Sequence, residues 1–238
     1  MAEKTMSEAE HIAEVRAKVL EAALPLVVFD GWSDHTLAEA VRDSGAEPGI
    51  SRLAFPRGGV DLALAFHARG DAEMSERLAQ EDLSHLRYSE RVARAIEMRL
   101  EQVAQHKEAV RRGAALFALP VYAADGGRAV WQTADTIWKG LGDSSDDYNW
   151  YTKRLTLSAV YSSVVLYWLG DESEDGQATR DFIQRRIENV MQFEKFKSSV
   201  RSSPVGRILE AGPGRILDHL RPPGAVREDL PGWWPKRS

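Results

Sequence analysis

The sequence predicts an all-α protein. Apolar residues recur at three- and four-residue spacing along most of the chain, no segment alternates convincingly in the manner of a strand, and the breaks fall on glycine and proline. The 238 residues are 43% hydrophobic and 28% charged, which suits one large domain or a domain with an appendage and argues against disorder over most of the length.

The first helix is marked by Ile12, Val15, Val19, Ala23 and Leu26 on one face, with Ser7 and Glu10 spaced as a capping box. Gly31-Trp32-Ser33 precedes a short helix from about Asp34 to Ser44. Gly45 and Pro48-Gly49 separate it from a second short helix ending near Phe55. Pro56-Arg57-Gly58-Gly59 then introduces a longer helix through Leu62, Leu64 and Phe66. Val92, Ile96, Leu100 and Val103 stripe the next helix, and His106 to Leu119 forms another, stopped by Pro120. Val130, Trp131, Ala134, Ile137, Trp138 and Leu141 give an apolar face, followed by a polar turn from Gly142 to Asp147. Trp150 to Leu169 is the next helix, and the longest uncharged run, Leu155 to Gly170, covers most of it. That run falls short of the roughly 20 apolar residues that span a bilayer and carries Thr156, Ser158, Ser162 and Ser163, so it reads as a buried core helix. Ile183, Ile187, Val190 and Met191 mark the following helix. After Lys197 the serines predict a linker. Val205 to Leu220 is an amphipathic stretch broken at Gly212-Pro213-Gly214, and Pro222 to Ser238 reads as a mobile tail.

Composition removes whole classes of chemistry. With no cysteine, disulfides, thiolate zinc sites, iron–sulfur clusters and thiol nucleophiles are excluded. The net charge of −5 gives no general attraction to nucleic acid or an acidic membrane, so any basic surface must be local. Glu3, Glu8 and Glu10 do not fit a signal or transit peptide, and the chain reads as cytosolic or already processed. Phosphate-binding loops, dinucleotide fingerprints, His-Glu-x-x-His and Gly-x-Ser-x-Gly are missing. Glu8 with His11 and Glu81 with His85 have helical spacing, but a metal site in a bundle needs more ligands, and surface polar residues are the better reading. Asp135, between Trp131 and Trp138, reads as a hydrogen-bonded structural carboxylate, with a functional carboxylate as the alternative. The expectation is a protein with no catalytic residue, no metal and no cofactor.

Between Phe29 and Leu64, Gly31-Trp32, Thr36, Gly45, Phe55-Pro56 and Asp61-Leu62 resemble the helix-turn-helix of tetracycline-repressor-type regulators. Such a module needs a basic face for phosphate. Here Asp30 to Val60 holds three basic residues (Arg42, Arg52, Arg57) against five acids, a balance of −2. The scaffold is repressor-like and its helix-turn-helix degenerate, so a packing role is favoured and no nucleic-acid partner is expected. A ligand-responsive transcription regulator is the alternative.

The run Asp143-Ser144-Ser145-Asp146-Asp147-Tyr148-Asn149-Trp150-Tyr151-Thr152-Lys153-Arg154 closely resembles the signature of the coenzyme Q lipid-binding accessory family. Pro56 to Asp61, Thr133 to Trp138 and Phe182 to Ile187 fit the same family in the same order, so the likeness covers about Val19 to Met191. The resemblance implies a tetracycline-repressor-like, homodimeric helical bundle that has lost DNA binding. It further implies a cavity for an isoprenoid quinone-type lipid, a contact patch for demethoxyubiquinone hydroxylase (a separate di-iron enzyme), and a C-terminal amphipathic helix that docks on the membrane. The organisation expected is a helix-turn-helix-like region over 1–66, a ligand-binding and dimerisation region over 67–198, and a linker, amphipathic segment and tail over 199–238.

Candidate residues follow. Trp150 and Arg154 lie four apart on one helix face, with Tyr151 beside them, and aromatic and Arg side chains are the usual interface anchors. The rival reading packs Trp150 and Tyr151 into the core, pairs Arg154 with Asp146 or Asp147, and makes Asp147 a helix cap. Asp147, Trp150, Tyr151 and Arg154 are the candidate partner-binding set. Tyr161, Val165 and Trp168 on the uncharged helix, with Phe117, Leu119, Trp131 and Trp138, are candidates to line a lipid pocket. Lys195 to Arg221 carries six basic residues against two acids, a balance of +4. If its helix continues through Pro213, Ile208, Leu209, Ile216, Leu217 and Leu220 share one face suited to an anionic membrane. The expected location is cytoplasmic, attached peripherally to the inner membrane.

Overall fold

The computed structural model describes residues 7–143 and 148–202. Among the described residues it contains nine α-helices, two short 3-10 turns and no strand. They run α1 (Glu8–Asp30), α2 (Asp34–Asp43), α3 (Pro48–Ala54), α4 (Gly59–Gln80), α5 (Tyr88–Val103), α6 (Lys107–Phe117), α7 (Ala123–Gly140), α8 (Tyr148–Leu169) and α9 (Gln177–Ser202).

The capping box at the start of α1 is formed: Ser7 Oγ accepts from the Glu10 amide at 3.2 Å, and Glu10 accepts from the Ser7 amide at 2.7 Å. Ser33 caps α2 through the Thr36 amide at 3.1 Å. The Trp32 indole donates to the Ala109 carbonyl at 2.9 Å, tying the α1–α2 turn to α6. The Gly58-Gly59 step lets α4 begin hard against that turn. A Cβ on Gly59 would lie 2.6 Å from the Trp32 carbonyl oxygen, while its amide donates to Asp34 at 2.9 Å.

Two apolar clusters form the interior. One gathers α1 to α4 with α6, around Val19, Val27, Trp32, Phe55, Leu62 and Phe66. The other gathers the later part of α4 with α5, α7, α8 and α9, around Met74, Ile96, Met98, Ile137, Val164 and Ile183. Helix α4 supplies both and is the spine between them.

One boundary differs from expectation. Helix α9 continues through Ser198 and Ser199 to Ser202, where the serines predicted a linker. Serine costs a helix only about 0.5 kcal/mol relative to alanine, and the first true breaker is Pro204. The amphipathic stretch and the proline-rich tail lie outside the described residues, as do Asp147, Ile208, Leu209, Ile216, Leu217 and Leu220.

Candidate functional site: an apolar cavity beside an aromatic patch

A cavity of about 560 Å³ lies between α4, α5, α6, α7 and α8. Its walls are overwhelmingly apolar and include Phe66, Leu100, Val103, Phe117, Val130 and Val165. Close packing shapes it: a Cβ on Gly126 would lie 2.6 Å from Phe117 Cβ, so α7 can approach α6 only because that position is glycine. Of the candidate lipid-lining residues, Phe117, Trp131, Tyr161 and Val165 line this cavity.

The other three lie elsewhere. Leu119 sits exposed on the turn after α6. Trp138 stacks on Tyr88 (ring centroids 5.9 Å apart) and lines a smaller cavity with Val160 and Ile187. Trp168 lies under Lys107 Nζ, 5.2 Å from the ring centroid, and faces a more polar groove beside Thr179. Trp131 and Trp138 share an apolar stripe in sequence, but being seven residues apart on a helix wrapped by several neighbours does not bring them to one hollow.

At one side the cavity wall turns polar, through residues that sequence reasoning did not single out. His67 on α4 lines the cavity, and its Nε2 lies 2.8 Å from Thr133 Oγ1 and 3.1 Å from the Ala129 carbonyl oxygen. Thr133 donates to Asp71 at 2.9 Å. Arg99 Nε donates to Asp71 at 2.6 Å, and its Nη2 donates to the His67 carbonyl at 2.9 Å. Arg99 and Asp71 are 2% and 5% exposed, so this is an ion pair held inside the core and satisfied on both sides. Gly70 makes room for it: a Cβ there would lie 2.5 Å from Arg99 Nη1. Burial pushes the His67 pKa below the usual histidine range; Asp71 works against that shift and Arg99 reinforces it. Burial likewise pushes the Tyr161 phenol up. The helical spacing of His67 and Asp71 on α4 was the one signal visible in sequence; Arg99 and Thr133 arrive from other helices.

The candidate partner-binding residues form a second feature at the start of α8. Trp150 packs edge-on against Tyr151 (4.8 Å between centroids), and both lie near Trp131, at 5.8 and 6.4 Å. Trp131 is therefore shared between the cavity wall and the aromatic cluster. Arg154 is not on the surface: it is 1% exposed, with its guanidinium 4.0 Å from the Trp150 ring centroid. It donates to Asp135 at 2.6 Å, to Asp143 at 3.3 Å and to the Trp150 carbonyl at 3.2 Å. Its acidic partners are thus Asp135 and Asp143; Asp146 and Asp147, considered from spacing, lie outside the described residues. Asp135 also takes Lys139 at 2.6 Å. These two cations outweigh the burial that opposes its charge, and its pKa lies below the usual carboxylate range. No group of three or more His, Asp or Glu residues able to hold a metal occurs among the described residues.

The fold is that of the tetracycline-repressor class. A TetR transcriptional regulator from Nitrosomonas europaea superposes with a TM-score of 0.57 at 20% identity, over 74% of this chain and 97% of that one. The sequence comparisons narrow this. Residues 123–194, which span α7, α8 and most of α9, match the COQ9 family model. Similarity extends well beyond that segment. The "Probable ubiquinone biosynthesis protein coq9, mitochondrial" of Dictyostelium discoideum is 29% identical over 80% of this chain and 64% of its own length. The "Ubiquinone biosynthesis protein COQ9, mitochondrial" of Drosophila melanogaster is 30% identical over 77% of this chain and 57% of its own. The human protein of the same name is 26% identical over 80% and 62%. The chain is similar to the COQ9 proteins and spans about three fifths of the length of the curated proteins it matches. No helix of the described residues is long and apolar enough to cross a membrane.

Proposed function

We propose that this chain is a non-catalytic lipid-binding accessory protein of ubiquinone biosynthesis. It holds an isoprenoid quinone-type lipid in the cavity between α4 and α8 and presents it to demethoxyubiquinone hydroxylase at a membrane surface. The observation that carries this reading is the apolar cavity of about 560 Å³ inside a COQ9-related chain. Extracting a polyprenyl lipid from a bilayer costs up to ~0.8 kcal/mol for each methylene exposed to water, and an apolar cavity lowers that cost. Trp131 touches both the cavity and the Trp150–Tyr151 cluster, which supports transfer across that face. Arg154 acts behind the face, bracing Trp150. Homodimerisation and membrane attachment through Ile208, Leu209, Ile216, Leu217 and Leu220 belong to the same proposal.

The helix-turn-helix supports a packing role over DNA binding. Arg57 is held by Asp61 and Asp125, and Arg42 by Glu39 and Asp43, so two of its three guanidinium groups are already neutralised. The test is mass spectrometry of organic extracts from gently purified protein against a mock purification. Enrichment of an isoprenoid quinone or precursor is the expected result. An empty extract from folded protein that also takes up no added quinone would overturn the reading.

A further inference from the structure

The polar side of the cavity has a direction. Nε2 of His67 contacts the Ala129 carbonyl oxygen, which can only accept a hydrogen bond. It also contacts Thr133 Oγ1, whose own proton goes to the Asp71 carboxylate. The Ala129 contact requires the imidazole proton on Nε2, and the Thr133 contact fits it. Nδ1 is then left with its lone pair, and it neither finds a hydrogen-bond partner among the described residues nor belongs to the sealed, unpartnered polar atoms of the interior. On the same cavity wall, the Ser158 hydroxyl is enclosed and has no partner. Everything fixed about His67 turns its one open valence into an acceptor.

An acceptor distinguishes the oxidation states of an aromatic head group. A hydroquinone or phenol has an O–H to give; a quinone has only carbonyl oxygens, which would meet the Nδ1 lone pair acceptor to acceptor. Ser158 either donates or accepts and does not discriminate. Resting on the lipid-binding reading above, we propose that the cavity selects a hydroxylated aromatic head, a hydroquinone or phenol, over the matching quinone, through a hydrogen bond donated by the ligand to His67 Nδ1. The Asp71–Arg99 pair is the fixed frame behind this choice: Asp71 orients Thr133, and Thr133 orients the imidazole. Neutral imidazole is required, and the burial that disfavours its charged form keeps it so.

The full-length chain is tested under anaerobic conditions by displacement of an apolar fluorophore. The competitors are a short-tailed benzoquinone, its hydroquinone, the dimethyl ether of that hydroquinone, and the same tail on an unsubstituted benzene ring. One hydrogen bond predicts that the hydroquinone binds about five- to tenfold more tightly than the quinone. The dimethyl ether, which keeps the shape and has no proton to donate, should bind no better than the quinone. In His67→Gln the side-chain amide still donates toward Thr133 and Ala129 but leaves no atom at the Nδ1 position, so the order collapses while the tail compound binds as before. Equal affinity for hydroquinone and quinone overturns the inference and leaves lipid binding standing. So does an ether that matches the hydroquinone, or a His67→Gln protein, folded by circular dichroism, that keeps the preference. If no competitor binds, the tail compound included, the lipid-binding reading falls and this inference with it.

Discussion

His67 is a part-buried base whose protonation has nowhere comfortable to put its charge. Asp71 Oδ2 lies 3.6 Å away, yet that carboxylate is already engaged by Arg99 and Thr133, and the rest of the wall is mostly apolar and carries no further acid. The native pKa is lowered by burial, while the unfolded value stays near 6.5. Between the two values the unfolded chain binds the proton and the folded chain does not, so stability falls as the pH drops below about 6.5 and the loss ends once the pH is below the native value. The expected result is a melting temperature that declines on acidification from pH 7.5 to about 5, with a slope that flattens in His67→Gln. Carboxylates in ion pairs give way lower still. An unchanged slope in the variant would assign the acid sensitivity to another group.

At the scale of elements, the joint between α7 and α8 explains why a buried arginine belongs to a surface feature. Arg154 on α8 reaches back to Asp135 on α7 and to Asp143 just after it, and its guanidinium stacks beneath Trp150. Arg154→Met takes the buried guanidinium away from two largely buried carboxylates, Asp135 and Asp143, while their pairs with Lys139 and Lys153 remain, a loss of about 3 kcal/mol measurable by urea denaturation. Trp150→Ala should lower stability by the contacts it loses to Arg154, Tyr151 and Trp131, leave the protein folded by circular dichroism, and weaken co-purification with the hydroxylase about tenfold or more, as expected of an aromatic anchor. If Trp150→Ala leaves co-purification intact, the patch is structural only. This joint also shows what a sequence conveys. Helix positions were legible because apolar spacing is local, and the Ser7–Glu10 box was legible because its two residues are three apart. Asp135 was recognisable as a hydrogen-bonded carboxylate within an apolar stripe. Its partner was not, because Arg154 lies 19 residues away across a turn while Asp146 and Asp147 stood nearer in sequence. The Asp71–Arg99–Thr133 network was hidden for the same reason: its members are 28 and 62 residues apart from Asp71.

The whole molecule is organised around space left where its two apolar clusters meet. Trp32, Phe66, Val103 and Ala109 reach the cavity from the N-terminal cluster, and Leu100 and Tyr161 reach it from the other. A ligand filling that space touches both halves, so binding should stabilise the fold as a unit. At a free ligand concentration of about 100 Kd the gain is ~2.7 kcal/mol, which for a chain of this size raises the melting temperature by roughly 5–10 °C. Val165→Trp, on the cavity wall of α8, would occupy the same volume with protein. Its expected signature is a melting temperature no lower than wild type in the absence of lipid and no further rise when lipid is added. A wild-type protein that shifts while Val165→Trp does not would place the lipid between the two clusters. Equal shifts in both proteins would move it out of this cavity, the hollow lined by Trp138, Val160 and Ile187 then being the next place to block.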